Sequence, residues 1–227
     1  MFIRPKQHRR GACGTISTQL FLAAIVLGAL LGGQSTAATT ANVILFLGDS
    51  ITAGYGLDLS QAYPALIQEK IDAKGWSFKA VNAGQSGDTS AGALNRLDWL
   101  LRNHVAVLVV ELGGNDGLRG LPAETTRTNL QQIIDRTKAK YPTVKIIIAG
   151  MKVPPNMGRK YGAKFETIYP ELAKKNQLPL IPFVLEGVGG VRELNLPDGI
   201  HPTAKGHAIV AATVWKTLEP VLRSIVK

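Results

Sequence analysis

Val43-Ile44-Leu45-Phe46-Leu47-Gly48-Asp49-Ser50-Ile51-Thr52-Ala53-Gly54-Tyr55 decides how the chain is read. Five consecutive apolar residues, rich in β-branched and aromatic types, predict a buried strand. The run stops at Gly48 and turns polar at once. This sets Ser50 just past the carboxyl end of the strand, the edge where open α/β sheets bind their ligands. A Ser delivered there is placed to act as a nucleophile. Taken alone, it equally reads as a helix cap or a turn residue.

Working outward, strands alternate with helices. Apolar spacing predicts a helix over 62–74 and a second strand over 78–81, followed by a Gly-rich loop from Asn82 to Thr89. A helix over 90–103 leads to the continuous apolar run Val105–Val110, as expected of a central parallel strand. A helix over 122–140, a strand over 144–149 and a helix over 162–176 follow, the last kinked or restarted by Pro170. A weak edge strand is expected over 180–183, where Pro182 blocks a ladder position. The last helix is expected from Pro202, with Val210, Val214, Leu218 and Leu222 as its apolar stripe. Five strand-helix alternations imply a parallel sheet covered on both faces.

The chain has 227 residues, of which 45% are hydrophobic and 19% charged, a composition of one globular domain. Its formal charge of +10 is uneven: Arg4, Lys6, Arg9 and Arg10 precede any acid, and the first acid is Asp49. Without those four, 22 Lys and Arg face 16 Asp and Glu. No basic block interleaved with aromatics follows, so no nucleic-acid partner is expected. The basic start, the apolar run Leu20–Leu31 and the small residues up to Ala41 form the pattern of a Sec-type secretory signal peptide. The expected division is therefore a signal and cleavage region over 1–41 and a folded domain over 42–227. An uncleaved anchor is the alternative, although the apolar run is short of the ~20 residues that span a bilayer. Cys13 is the only cysteine and lies before that run. The mature chain then has no thiol chemistry, and a bacterial periplasmic or secreted location is expected.

The polar signals follow strands one, two and three, and precede the last helix. Loops after parallel strands share one sheet edge, so Ser50, Gly87, Asn115, Asp198 and His201 can converge there. That set supplies a nucleophile, a base, an orienting acid and oxyanion donors. Individually each has a plainer reading: Gly87 as a turn glycine, Asn115 as a turn or cap, Asp198-Gly199 as a turn, His201 as a surface residue. His104 and His207 are read as structural. A metal site built from Asp49, Asp198, His201 and His207 matches no ligand spacing, and a flavin or phosphate binder of the same sheet type is the remaining rival.

Gly48-Asp49-Ser50-Ile51, Gly87-Asp88-Thr89, Gly113-Gly114-Asn115-Asp116 and Asp198-Gly199-Ile200-His201-Pro202 resemble, in order and spacing, the four motif blocks of the SGNH (GDSL-type) hydrolases. The likeness is greatest to the bacterial group of periplasmic thioesterase, lysophospholipase and arylesterase, and it covers the chain from Asn42 onward. Ile51 stands where the family name has Leu. The resemblance implies a flavodoxin-like three-layer α/β/α sandwich with a five-stranded parallel sheet. It implies hydrolysis of carboxylic esters or thioesters through an acyl-Ser50. Ser50, Asp198 and His201 would be the catalytic residues, with Ser50, Gly87 and Asn115 as the oxyanion hole. No cofactor and no metal are expected. The expected partner is a small acyl ester or thioester, with transient lipid contact where the donor is a lysophospholipid. Asp49 is expected to brace the turn. Residues 154–158 and 184–195 are expected to wall the acyl pocket.

Overall fold

The computed structural model describes residues 42–226. The proposed signal region therefore lies outside the described residues. Strand β1 (Asn42–Gly48) is followed by a single-turn helix α1 (Ser50–Ala53) and by α2 (Tyr63–Asp72). Then come β2 (Phe78–Gly84), α3 (Ser90–Leu100), β3 (Val107–Glu111), the short α4 (Gly114–Leu118) and α5 (Ala123–Lys140). The chain continues through β4 (Lys145–Ala149), α6 (Arg159–Glu166), α7 (Ile168–Asn176), β5 (Leu180–Ile181) and α8 (Ala204–Arg223).

The five strands are all parallel, in the order β2-β1-β3-β4-β5. This is the doubly wound order in which the winding reverses between β1 and β3, leaving a crevice at their carboxyl ends. Helices α2 and α8 pack together, and α5 packs with α3 and α7. The result is the three-layer α/β/α sandwich. The inner strands are apolar throughout because helices cover both their faces: Ile44, Phe46, Leu47, Val107, Leu108, Val109 and Ile147 have no solvent exposure. The stripe Val210, Val214, Leu218 and Leu222 buries α8 completely along one side. Truncating any of these residues to Ala would cost about 2–5 kcal/mol.

Several boundaries differ from the sequence expectation, each for a local reason. β2 runs on to Gly84 because Phe46, Leu47 and Gly48 of β1 pair with Asn82, Ala83 and Gly84. The composition of that segment reads as a loop, but Asn82 braces it as a strand. Its Nδ2 donates to the Thr52 carbonyl and its Oδ1 accepts the Gly84 N–H. Gly84 leaves room for α1, since a Cβ there would lie 2.2 Å from the Ala53 nitrogen. The helix expected over 162–176 is two helices that begin at Arg159 and break at Thr167. Pro170 falls in the first turn of α7, where its missing N–H costs nothing. β5 is an edge strand as expected, but it stops before Pro182. Pro202 lies outside α8, bridged to Asn195, and Thr203 caps the helix by accepting the Gly206 N–H.

Candidate active site

The crevice between β1 and β3 is built from the ends of those strands. Asp49 is the N-cap of α1, and its Oδ1 accepts the Ile51 N–H at 3.0 Å. Ser50 is the first residue of that helix, so its own N–H has no carbonyl one turn back. The tightness of the turn explains Gly48. A Cβ there would lie 2.0 Å from Thr52 Oγ1 and 2.7 Å from Glu111 Oε2.

His201 reaches Ser50 from the loop before α8. Its Nε2 lies 2.9 Å from Ser50 Oγ, and its Nδ1 lies 2.7 Å from Asp198 Oδ2. The other Asp198 oxygen accepts the N–H groups of Ile200 and His201 at 2.9 and 3.0 Å. These bonds to the charged form, the His201 side chain first, hold the Asp198 carboxyl down at about 2. An ionised carboxylate only accepts, so His201 carries its proton on Nδ1 and turns a lone pair toward the Ser50 hydroxyl. The Tyr55 ring lies 4.4 Å from the imidazole, tilted by 37°. This contact has no signal in the sequence, because nothing in the spacing of Tyr55 ties it to residue 201.

Asn115 sits in the first turn of α4, whose N-cap is Gly113, so it is not a helix cap. Its Nδ2 donates to the Asp88 carbonyl at 2.9 Å and to Asp49 Oδ2 at 3.3 Å. The amide is thereby aimed between the loops of β1 and β2. Gly87 reaches the same edge in a left-handed conformation (φ 80°), with its carbonyl accepting from Arg119 Nη2 at 2.8 Å. It is not among the residues that wall the cleft. Asp88, next to it, pairs with Arg96, whose Nη2 donates to the Gly48 carbonyl. That brace joins the first two motif loops, and strand-helix reading does not anticipate it.

Beneath the site lies a buried polar layer. Tyr63 donates to Thr52 Oγ1 at 2.9 Å, and Thr52 donates to Glu111 Oε2 at 2.7 Å. Glu111 is fully buried, and its Oε1 has no partner among the described residues. Burial first, and then the proximity of Asp49, push its carboxyl well above the ordinary range. Burial likewise raises Asp49 to about 6. His207 is fully buried, and its Nδ1 accepts the Tyr63 N–H at 3.2 Å. Its place in the core agrees with the structural reading. His104 packs edge-on against Tyr141.

A cleft of about 630 Å³ opens from Ser50, Asn115 and His201. Its walls include Leu118, Met151, Val153, Pro154, Pro155, Phe183, Leu185 and Ile200. Of the expected wall segments, Pro154, Pro155, Leu185, Gly189 and Gly190 line it. Asn156, Met157 and Gly158 do not. Val191, Arg192 and Asn195 line a neighbouring cavity of about 500 Å³.

A hydroxyl, an imidazole and an ionised carboxylate in hydrogen-bonded series, set at the switch point of a doubly wound sheet, define a serine-type hydrolase. The GDSL-like Lipase/Acylhydrolase family matches residues 46–209. The chain is 42% identical over 188 residues to Esterase TesA of Pseudomonas aeruginosa, covering 82% of this chain and 92% of that protein. It is 41% identical over 186 residues to Thioesterase 1/protease 1/lysophospholipase L1 of Escherichia coli, covering 82% and 87%. Among solved structures, TesA superposes with a TM-score of 0.75 at 42% identity, over 79% of this chain and 99% of that one. The psychrotrophic esterase EstA from Pseudoalteromonas sp., inhibited by monoethylphosphonate, gives 0.75 at 32% identity, over 80% and 99%. This chain belongs to the GDSL-like lipase/acylhydrolase family, and with it to the hydrolases of ester bonds.

Proposed function

We propose that the chain cleaves carboxylic esters, acyl thioesters and lysophospholipids by acyl transfer through Ser50. The observation that carries this is the continuous Ser50–His201–Asp198 relay, with contacts of 2.9 and 2.7 Å. His201 Nε2 takes the proton as Ser50 Oγ attacks the acyl carbonyl. The Oγ–C bond forms, and the carbonyl electron pair moves onto its oxygen. When that oxyanion collapses, the C–O or C–S bond breaks and His201 returns its proton to the leaving alkoxide or thiolate. Water then repeats the sequence and releases the acid. Asp198 keeps the imidazole in the Nδ1–H form and stabilises the transient imidazolium.

The oxyanion would be held by the N–H groups of Ser50 and Gly87 and by Asn115 Nδ2. The Asn115 hydrogen facing Asp49 at 3.3 Å is the more weakly engaged of its two and is the one such an oxyanion would claim. Esterase and thioesterase names among the relatives support the choice of donors. An arylesterase of Vibrio mimicus, 36% identical over 185 residues, extends that support to aryl esters.

The test is turnover of p-nitrophenyl, acyl-CoA and lysophospholipid donors, together with labelling by an organophosphonate. The wild type should turn over at least the first two and gain one phosphonyl mass. Ser50→Ala should gain none and lose roughly 10⁴-fold in kcat. Labelling of the Ser50→Ala chain would refute the assignment.

We also propose that residues 1–41 are a Sec-type signal, so that the catalytic domain, 42–227, works in the periplasm or outside the cell. The basic, apolar and small-residue sequence of that region supports this. No helix of the described residues is long and apolar enough to cross a membrane. Intact mass of the chain from a periplasmic extract should begin between about Ala38 and Asn42. A soluble product still starting at Met1 would exclude the signal.

A further inference from the structure

The cleft that opens from Ser50 is apolar on most of its walls, yet it carries one cation. Among its described lining residues, only Lys152 is a lysine or arginine. Lys152 follows β4, and its Nζ lies 4.8 Å from the centre of the Phe183 ring, which lines the same cleft. A cation held over an aromatic face has fewer places to go than a free lysine. Phe183 is in turn backed by Gly189, where a Cβ would lie 3.3 Å from Phe183 Cζ. Lys152 is exposed and forms no ion pair among the described residues.

We infer that Lys152, held by Phe183, is a specificity residue that selects acyl donors carrying an anionic group remote from the scissile carbonyl. This rests on the acyl-Ser50 reading. The sheet order gives the reach. Ser50 follows β1 and Lys152 follows β4, with β3 between them. Two strand spacings separate the ends of β1 and β4 by about 10 Å. With carbon–carbon bonds of ~1.5 Å, that is an extended chain of roughly eight atoms. The walls that such a path would follow include the apolar Met151, Val153 and Ile200. A hydrocarbon spacer ending in a carboxylate or phosphate matches both the path and its end. The anion could belong to the acyl part or to the alcohol part of the substrate.

Two substrate pairs separate those sources. One pair is p-nitrophenyl octanoate against the p-nitrophenyl half-ester of octanedioic acid. The other is monooctanoylglycerol against its glycerol phosphate counterpart. The readout is the ratio of kcat/KM, anionic to neutral, measured within each variant so that general effects cancel. In the wild type at low salt at least one ratio should exceed that of Lys152→Met by roughly fivefold, the size of a partly exposed ion pair. Lys152→Arg should retain the ratio, Phe183→Leu should lower it, and added salt should erase it. A change in the first pair assigns the anion to the acyl part, and a change in the second assigns it to the alcohol part. Equal ratios in wild type and Lys152→Met for both pairs overturn the inference. Failure of the neutral esters to turn over at all would instead sink the acyl-Ser50 reading.

Discussion

The rim of the site and the floor beneath it use the same kinds of side chain in opposite states. At the rim, Asp198 is exposed and accepts three hydrogen bonds, so it stays ionised far into acid, with a pKa of about 2. At the floor, Asp49 and Glu111 are buried and close to one another, and both are pushed toward the neutral form. The histidines divide in the same way. His201 lies between Ser50 and Asp198 at the edge, whereas His207, six residues on, is sealed in the core. Burial pulls His207 down to about 4.

The contrast shows that environment, and not residue type, decides what each group does. Charge that must work is kept at the wet rim, where hydrogen bonds support it. The floor holds geometry, and a neutral carboxyl serves as well as an amide would. Thr52 connects the two layers: it sits on the helix that begins with Ser50, and its hydroxyl bonds Glu111 below. The floor therefore fixes the turn on which the rim depends.

Removing charge from the rim should have the largest effect. Asp198→Asn should cut kcat by roughly 10³–10⁴-fold, because the wrong imidazole tautomer then faces Ser50. Steady-state kinetics on variant protein with an unchanged melting curve would check this. A loss under about tenfold would mean that Asp198 does not orient the base. Asn115→Ala comes next, with a loss of roughly 10²–10³-fold in kcat and little change in KM. Asn115 also ties the Asp49 and Asp88 loops together, so the urea midpoint belongs in the same experiment. Lost stability with near-normal kcat would make the residue a brace only.

Much of this contrast can be read in the sequence, but not evenly. The rim residues sit on Gly-punctuated loops after apolar strands, where local pattern marks them out. Asp198 and His201 are three residues apart, and Gly199 between them adopts the left-handed turn their contact needs (φ 71°). The floor is invisible to such reading. Glu111 is the polar end of an apolar strand, Thr52 lies in a single-turn helix, and Tyr63 opens a helix. Their union follows from β1 and β3 being neighbours, which is a property of the topology. Helix α4 is equally hidden, because Gly-Gly-Asn-Asp-Gly has poor helix propensity and reads as a turn. It forms where Gly113 can take φ 110°, at a point where a Cβ would lie 2.3 Å from the Tyr169 hydroxyl. The end of β2 is hidden for the same reason, since its polar and small residues gain their strand geometry only from pairing with β1.

His207 gives a smaller effect, on stability. Its folded pKa of about 4 lies below the ordinary value of 6.5. The unfolded chain therefore takes up a proton first as pH falls. The stabilisation is complete above pH 6.5 and is lost on the way down to about 4. That loss is about 2–3 kcal/mol between pH 7 and 4.5. His207→Gln can still accept the Tyr63 N–H but cannot be protonated. Urea midpoints at the two pH values should show the acid loss shrinking in the variant. An identical loss in both proteins would place the sensitivity elsewhere.

The smallest effect is at Asp49, and its sign is opposite. Burial raises its folded pKa from 3.8 to about 6. The stability linked to this group is complete below pH 3.8, where both states are protonated. It is lost as pH rises through 6, because the folded chain must then hold a charge that the buried site disfavours. Between pH 4 and 8 the expected cost is about 2 kcal/mol. Asp49→Asn removes the titration while keeping an oxygen that can accept the Ile51 N–H. The new amide would face Asn115 Nδ2 donor to donor, at a cost of about 1 kcal/mol that does not vary with pH. The useful readout is therefore the difference between the two urea midpoints and not either value alone. Asp49→Asn should lose less stability than the wild type on going from pH 4 to 8, whichever protein is the more stable at pH 4. Parallel pH dependence in the two proteins would mean that Asp49 is ionised in the folded chain already at pH 4. The contrast between a charged rim and a neutral floor would then fail at the residue where the two layers meet.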